Sequence, residues 1–190
     1  KVIRADSQIT TIFSPWNREL PANTVTKTRI VTDGSAHFPN PEAARQHNIS
    51  VVPYCIYIGE RVLPDGLGSL SPEQYLEQVA SGNGPAQVVA ASVEEFATHF
   101  QKIGRSSTHI VCICASRNLS RSWQHAEEAA SLVRGKLEIT VVDSLTTSTG
   151  LGLLAEAAAE AVTTGASADE AARVVRMRIP KVYAIFFLET

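Results

Sequence analysis

The sequence predicts an α/β domain with a mostly parallel sheet and helices on both faces, and three observations carry that expectation. Apolar, β-rich runs alternate with helical patterns along most of the chain, as βαβ crossovers require. The runs around Val111–Cys114 and Ile139–Val142 read as buried central strands, covered from both sides. With 190 residues, 44% hydrophobic and 19% charged, the chain is long enough for one domain that buries roughly 70% of its unfolded surface.

The elements follow in order. Residues 1–27 are expected to be an N-terminal extension, with Pro15, Pro21 and one apolar cluster of Ile9, Ile12, Phe13 and Trp16. The domain proper is expected over 28–190. Its β-rich runs are Thr28–Thr32, Ile49–Ile58, His109–Cys114, Leu137–Asp143 and Val182–Leu188. Asn40 and Pro41 provide a cap and a first-turn proline for a helix over Pro41–His47. Capping-box patterns stand at Ser71 with Gln74, Ser92 with Glu95 and Ser167 with Glu170. They open helices that stop at Gly82, Gly104 and Pro180. Two alanine-rich amphipathic helices are predicted at about Ser120–Val133 and Ser148–Thr163, with Gly135 just past the first. In such sheets ligands sit beyond the carboxyl ends of the strands, so the loops after Val31, Val89, Cys114 and Val142 are the places to search.

Composition excludes several classes. A formal net charge of −2 without a basic stripe argues against nucleic acid, whose binding requires counterion displacement. No stretch reaches the ~18 apolar residues of a membrane span, and no signal-peptide layout is present. Cys112 and Cys114 would share one face of a strand and read as buried reduced thiols. An odd cysteine count without framework spacing points to a reducing compartment, so the chain is expected to be cytoplasmic. Neither a metal nor a cofactor is expected. Gly-x-Ser-x-Gly, Gly-x-Gly-x-x-Gly and the P-loop are absent, and the five histidines are scattered, so an enzyme is not expected.

Three loops hold candidate site residues. In Thr32–Ala36, Asp33 and Ser35 either order a turn or bind a ligand's polar end. In Ala115–Ser120, free amides between a strand and a helix make an anion seat, and Arg117 adds a planar fork. Alternatively, Asn118 or Ser120 caps the helix there. In Asp143–Gly152, five hydroxyls and two glycines fit either a ligand or close packing.

As an ordered set these loops resemble the DegV family of bacterial proteins. Arg29–Ala36 is similar to that family's first strand and Thr-Asp-Ser-Ser motif, and Ile49–Pro53 to its second strand. Asp65-Gly66 followed by Ser71–Tyr75 resembles its Asp-Gly turn and helix. Leu119-Ser120, Trp123-Gln124 and Ala126 match Leu-Ser-Gly-Thr-Tyr-Gln-x-Ala. Asp143-Ser144, Ser148, Gly150, Leu151 and Gly152 match Asp-Ser-x-x-x-Ser-x-Gly-x-Gly.

The resemblance runs from about residue 28 to the end. It implies the N-terminal α/β domain of a two-domain fatty-acid-binding protein. Such a protein acts as the lipid-carrying subunit that presents the carboxylate to a partner fatty acid kinase. The chain stops at Phe187–Thr190, about where the family's linking strand would lead into the C-terminal domain.

Two motifs depart from the family pattern. Val88-Val89-Ala90-Ala91-Ser92 stands where a Thr-Ser-Gln-Pro-Ser stretch helps hold the carboxylate, and Ser116-Arg117-Asn118 replaces a Ser-Ser-Gly pattern. The resemblance implies a fatty acid or similar acyl ligand, expected to meet Ser35, Val89, Ala90, Ser116, Arg117, Asn118 and Ser120. Given the departures, either Arg117 takes over the acidic head group or the ligand is no longer a plain fatty acid. Two rivals remain: an interaction module of this fold that has lost lipid binding, and a phosphotransfer enzyme using His109 or His125.

Overall fold

The computed structural model describes residues 27–40, 42–63, 72–81, 86–133, 135 and 137–185. Residues 1–26 of the N-terminal extension, the Ser71 cap, Pro41, Gly82 and the end of the chain lie outside the described residues. The elements in chain order are β1 (Thr28–Asp33), α1 (Ala43–Gln46), β2 (Ser50–Val52), β3 (Cys55–Ile58), β4 (Arg61–Leu63), α2 (Pro72–Ser81), β5 (Ala86–Val89) and α3 (Val93–Gly104). They continue with β6 (His109–Cys114), α4 (Ser122–Leu132), β7 (Glu138–Asp143), α5 (Ser148–Thr163), α6 (Ala168–Arg178) and a 3₁₀ turn at Ile179–Lys181.

Four strands form a parallel sheet in the order β2-β1-β6-β7. In register, Val31 pairs with Ser50 and Cys112, and Cys112 also pairs with Val141. Strand β6 is covered on both faces, which explains its unbroken apolar run. Val111 and Ile113 pack with Leu151, Leu154, Ala158, Ala171 and Val175 of α5 and α6. Ile110, Cys112 and Cys114 face α3 and α4 through Phe96, Phe100, Ala126 and Ala129. The fold class expected from the sequence is the one observed.

The Cys112 and Cys114 sulfurs lie 3.6 Å apart, both thiols buried. Their hydrogen bond and burial push the Cys114 thiol well above its usual range.

The boundaries of α3 and α6 follow from local chemistry. Ser92 accepts from the Glu95 amide at 3.2 Å while the Glu95 carboxylate accepts from the Ser92 amide at 2.7 Å. Ser167 and Glu170 repeat this exchange at 3.3 and 2.8 Å. Each pairing satisfies amides that the first helical turn leaves without partners. At α1 the helix is shorter than expected. Asn40 accepts the Glu42 and Ala43 amides through its side chain and carbonyl, so Glu42 belongs to the turn before the helix.

Two expectations are corrected. Ile49–Ile58 is not one strand: β2 belongs to the parallel sheet, whereas β3 joins a second, antiparallel sheet in the order β4-β3-β5. Pro53 stands at the break, where its missing amide hydrogen removes a ladder donor. The strand expected over Val182–Leu188 is not formed as far as Ile185. The 3₁₀ turn containing Pro180 precedes residues 182–185, which carry no regular structure. His99, on α3, is half-buried, with Nε2 2.8 Å from the Ser50 hydroxyl.

Candidate functional site

From β1 the chain proceeds to β2 on one side, while β6 leads to β7 on the other. The carboxyl ends of β1 and β6 therefore mark the point where strand order reverses, the usual ligand crevice of open parallel sheets. A pocket of about 450 Å³ lies there. Asp33 and Ser35 contribute from the end of β1, Ala115 from the end of β6, and Thr147 from the turn before α5. Tyr54 and Val88–Ala90 add a wall from the antiparallel sheet, and Leu119–Ser122 with His125 add one from the start of α4.

Asp33 organises the floor. It is a buried carboxylate, and its Oδ2 accepts the Ala115 amide at 2.7 Å across the β1–β6 boundary. Its Oδ1 accepts the Ser35 amide at 2.9 Å and also the Ser35 hydroxyl. A buried carboxylate needs such donors in place of water. Gly34 fits between them because a Cβ there would stand 2.8 Å from the Tyr54 backbone nitrogen.

The Ala115–Ser120 loop is fully hydrogen-bonded on its amide side. Besides the Ala115 bond, Ser116 donates to the Thr146 carbonyl at 2.8 Å. Arg117 donates weakly to Asp143 Oδ1 at 3.4 Å, and Asn118 to the Ser116 hydroxyl at 3.3 Å. Leu119 and Ser120 donate to the Ser116 carbonyl at 2.8 and 3.0 Å. The free amides of an anion seat are therefore absent from this loop.

Arg117 is engaged as well. Its Nε lies 3.2 Å from Asp143 Oδ2, an ion pair not aligned as a hydrogen bond, and its guanidinium carbon sits 5.5 Å from the centre of the Trp123 ring.

The sequence-predicted site residues therefore divide. Ser35, Val89, Ala90 and Ser120 line the pocket, whereas Ser116, Arg117 and Asn118 stand outside its lining and brace the loop. Ser120 also accepts from the amide of Ser122, the first residue of α4, at 3.1 Å. Sequence reasoning passed over Tyr54 and Arg121, and named His125 only as a rival catalytic candidate. Arg121 and His125 had a readable signal, an i, i+4 pair at the start of a helix that follows a strand end.

The remaining loop resolves toward packing. A Cβ on Gly152 would stand 2.1 Å from the His37 carbonyl oxygen, and one on Gly150 2.6 Å from Thr146 Oγ1. Both glycines let α5 lie directly against neighbouring backbone and side chains. Ser148 holds that approach by donating to the Ser35 carbonyl at 3.0 Å and accepting from the His37 amide at 3.1 Å. Among the described residues, no group of three or more His, Cys, Asp or Glu side chains is arranged to hold a metal. No described helix is long and apolar enough to cross a membrane.

Fold and pocket together define an open parallel α/β domain with a ligand crevice at its strand-order reversal. Comparison with known proteins makes this specific. The profile described as "Uncharacterised protein, DegV family" matches residues 27–190, and the chain belongs to the DegV family. It is 31% identical over 162 residues to a DegV domain-containing protein of Streptomyces coelicolor, covering 85% of this chain and 56% of that one. A relative from Caldanaerobacter subterraneus is 29% identical over 86% of this chain and 57% of its own length. The chain thus spans little more than half the length of these relatives.

Solved structures share the fold. The fatty acid binding protein DegV of Bacillus subtilis superposes with a TM-score of 0.75 at 22% identity, covering 82% of this chain and 54% of that one. A fatty-acid-binding DegV family protein from Thermus thermophilus gives 0.73 at 23%, with the same coverage. The Streptococcus pneumoniae fatty acid kinase B3 protein, solved with linoleic acid, gives 0.68 at 20%, covering 82% and 55%.

Proposed function

We propose that this chain binds a fatty acid or related amphiphile in the β1–β6 crevice and acts as a lipid-carrier subunit. It presents the ligand's carboxylate to a separate kinase, and the chemistry on the lipid belongs to that partner. The observation that carries this reading is the pocket's two-sided character. Val88, Val89 and Leu119 are exposed apolar side chains along its wall, while its floor holds the Asp33–Ser35 network. An amphiphile matches both sides: apolar walls supply affinity at about 0.8 kcal/mol per buried CH₂, and a few polar groups fix orientation. Ser35, Val89, Ala90 and Ser120 are the expected residues that line this space.

The fatty-acid-binding relatives of the same fold support the ligand class, and the kinase B3 protein supports the carrier role. Residues 28–190 act as the lipid-binding domain in this reading, and 1–27 as an extension. The cytoplasm is the compartment that suits three cysteines held as thiols.

Native mass spectrometry of the purified protein, followed by denaturing extraction, tests the reading. A co-purified fatty acid in near-stoichiometric amount is expected. A protein that arrives empty and ignores added long-chain fatty acids refutes it. The carrier role is checked by adding a fatty acid kinase and ATP. Acyl phosphate should form only when both proteins are present, and its formation by this chain alone would overturn that part.

A further inference from the structure

Arg121 and His125 stand one helical turn apart at the start of α4, with the His125 amide donating to the Arg121 carbonyl at 2.9 Å. Both line the β1–β6 pocket. His125 Nδ1 lies 2.7 Å from the Ala91 carbonyl oxygen. A carbonyl only accepts, so Nδ1 carries the proton, and Nε2 is the ring atom that His125 can offer to an occupant. Arg121, at the cap of α4, makes no side-chain cap bond and no ion pair among the described residues. Val88–Ala90, which also line the pocket, have no side-chain donor.

From this geometry we infer that Arg121 and His125 form the head-group clamp of the pocket and select an anionic over a neutral acyl ligand. The inference rests on the amphiphile-binding reading of the same pocket and adds what that reading leaves open, the residues that recognise charge. Arg117 does not fill the role, because Asp143 and Trp123 hold it.

Two carboxylates border the clamp. Asp33, on the floor, already accepts three donors, from Ser35 and Ala115. Glu94 is an exposed residue in the first turn of α3, close enough to interact electrostatically with His125. The guanidinium fork suits both oxygens of a carboxylate, and the positive end of α4 favours the same sign of charge.

The test uses displacement of a fluorescent acyl probe from the full chain by hexadecanoate and by hexadecanol, two ligands with the same tail. Wild-type protein is expected to prefer hexadecanoate. R121Q should weaken hexadecanoate roughly ten- to a hundredfold, the range for a hydrogen bond to a charged group, and leave hexadecanol unchanged. Arg121 is exposed and without a cap bond, so this variant keeps the fold. H125N retains an amide donor near the position of Nδ1 for Ala91 and removes Nε2; it should narrow the preference in the same direction. Equal effects on both ligands, or none on either, overturn the clamp while leaving acyl binding in place. Wild-type protein that binds neither ligand overturns the amphiphile reading and the clamp with it.

Discussion

Replacing Asp33 by Asn tests whether its carboxylate ties the two central strands together. The change keeps the shape but turns one acceptor oxygen into a donor. If the new NH₂ faces Ala115, the 2.7 Å bond becomes two donors in opposition at a buried site. If it faces Ser35, that backbone amide loses its 2.9 Å acceptor, while the serine hydroxyl can rotate to accept. Either arrangement removes one bond to a charged acceptor, worth about 1.5–3 kcal/mol, and reduces the others to the neutral value of about 1 kcal/mol.

The expected loss for D33N is about 3 kcal/mol, with a fall in Tm of roughly 6–12 °C for a domain of this size. Urea denaturation followed by far-UV circular dichroism measures it, and the slope should stay unchanged, since the surface exposed on unfolding is the same. S35A is the comparison, because it removes the hydroxyl donor and leaves the backbone bond. A D33N loss below about 1 kcal/mol, or one equal to that of S35A, would refute the assignment of Asp33 as the brace between β1 and β6.

Three other perturbations read different parts of the structure. G152A places a Cβ 2.1 Å from the His37 carbonyl oxygen, and overpacking of this kind costs about 1–3 kcal/mol; thermal melting should show the loss. Burial, with a smaller contribution from Lys102, holds His99 below its ordinary value of 6.5. The unfolded chain therefore takes up more protons there, and this part of the stability is present above pH 6.5 and lost as pH falls toward the folded value. Wild-type stability should decline through that window in urea titrations, and H99Q should flatten the decline. Finally, Cys112 and Cys114 should resist a thiol reagent in the native protein and react on unfolding, with the partly exposed Cys55 labelled first; peptide mapping of the modified protein reads the order.

The parallel sheet and its helices were legible in the sequence because their signals are local. The unbroken apolar run of β6 reports burial on both faces, and Ser92–Glu95 and Ser167–Glu170 fix helix starts through bonds between residues three apart. Pro53 lay inside the apolar run 49–58 and marked a break that hydropathy alone concealed. The second sheet was not legible, because β5 pairs with β3 across some thirty residues and its pattern specifies no partner.

The site divided on the same ground. Sequence identified the loops that surround the pocket, since topology places ligands beyond strand ends. Only the tertiary structure decided which side chains in them are free. Arg117 and Arg121 are the same residue type four positions apart, and nothing in their own chemistry ranks them. Asp143, which comes 26 residues after Arg117, engages one and leaves the other at the pocket. A cation's availability depends on what stands across from it in space, and that is settled when β6 and β7 pair.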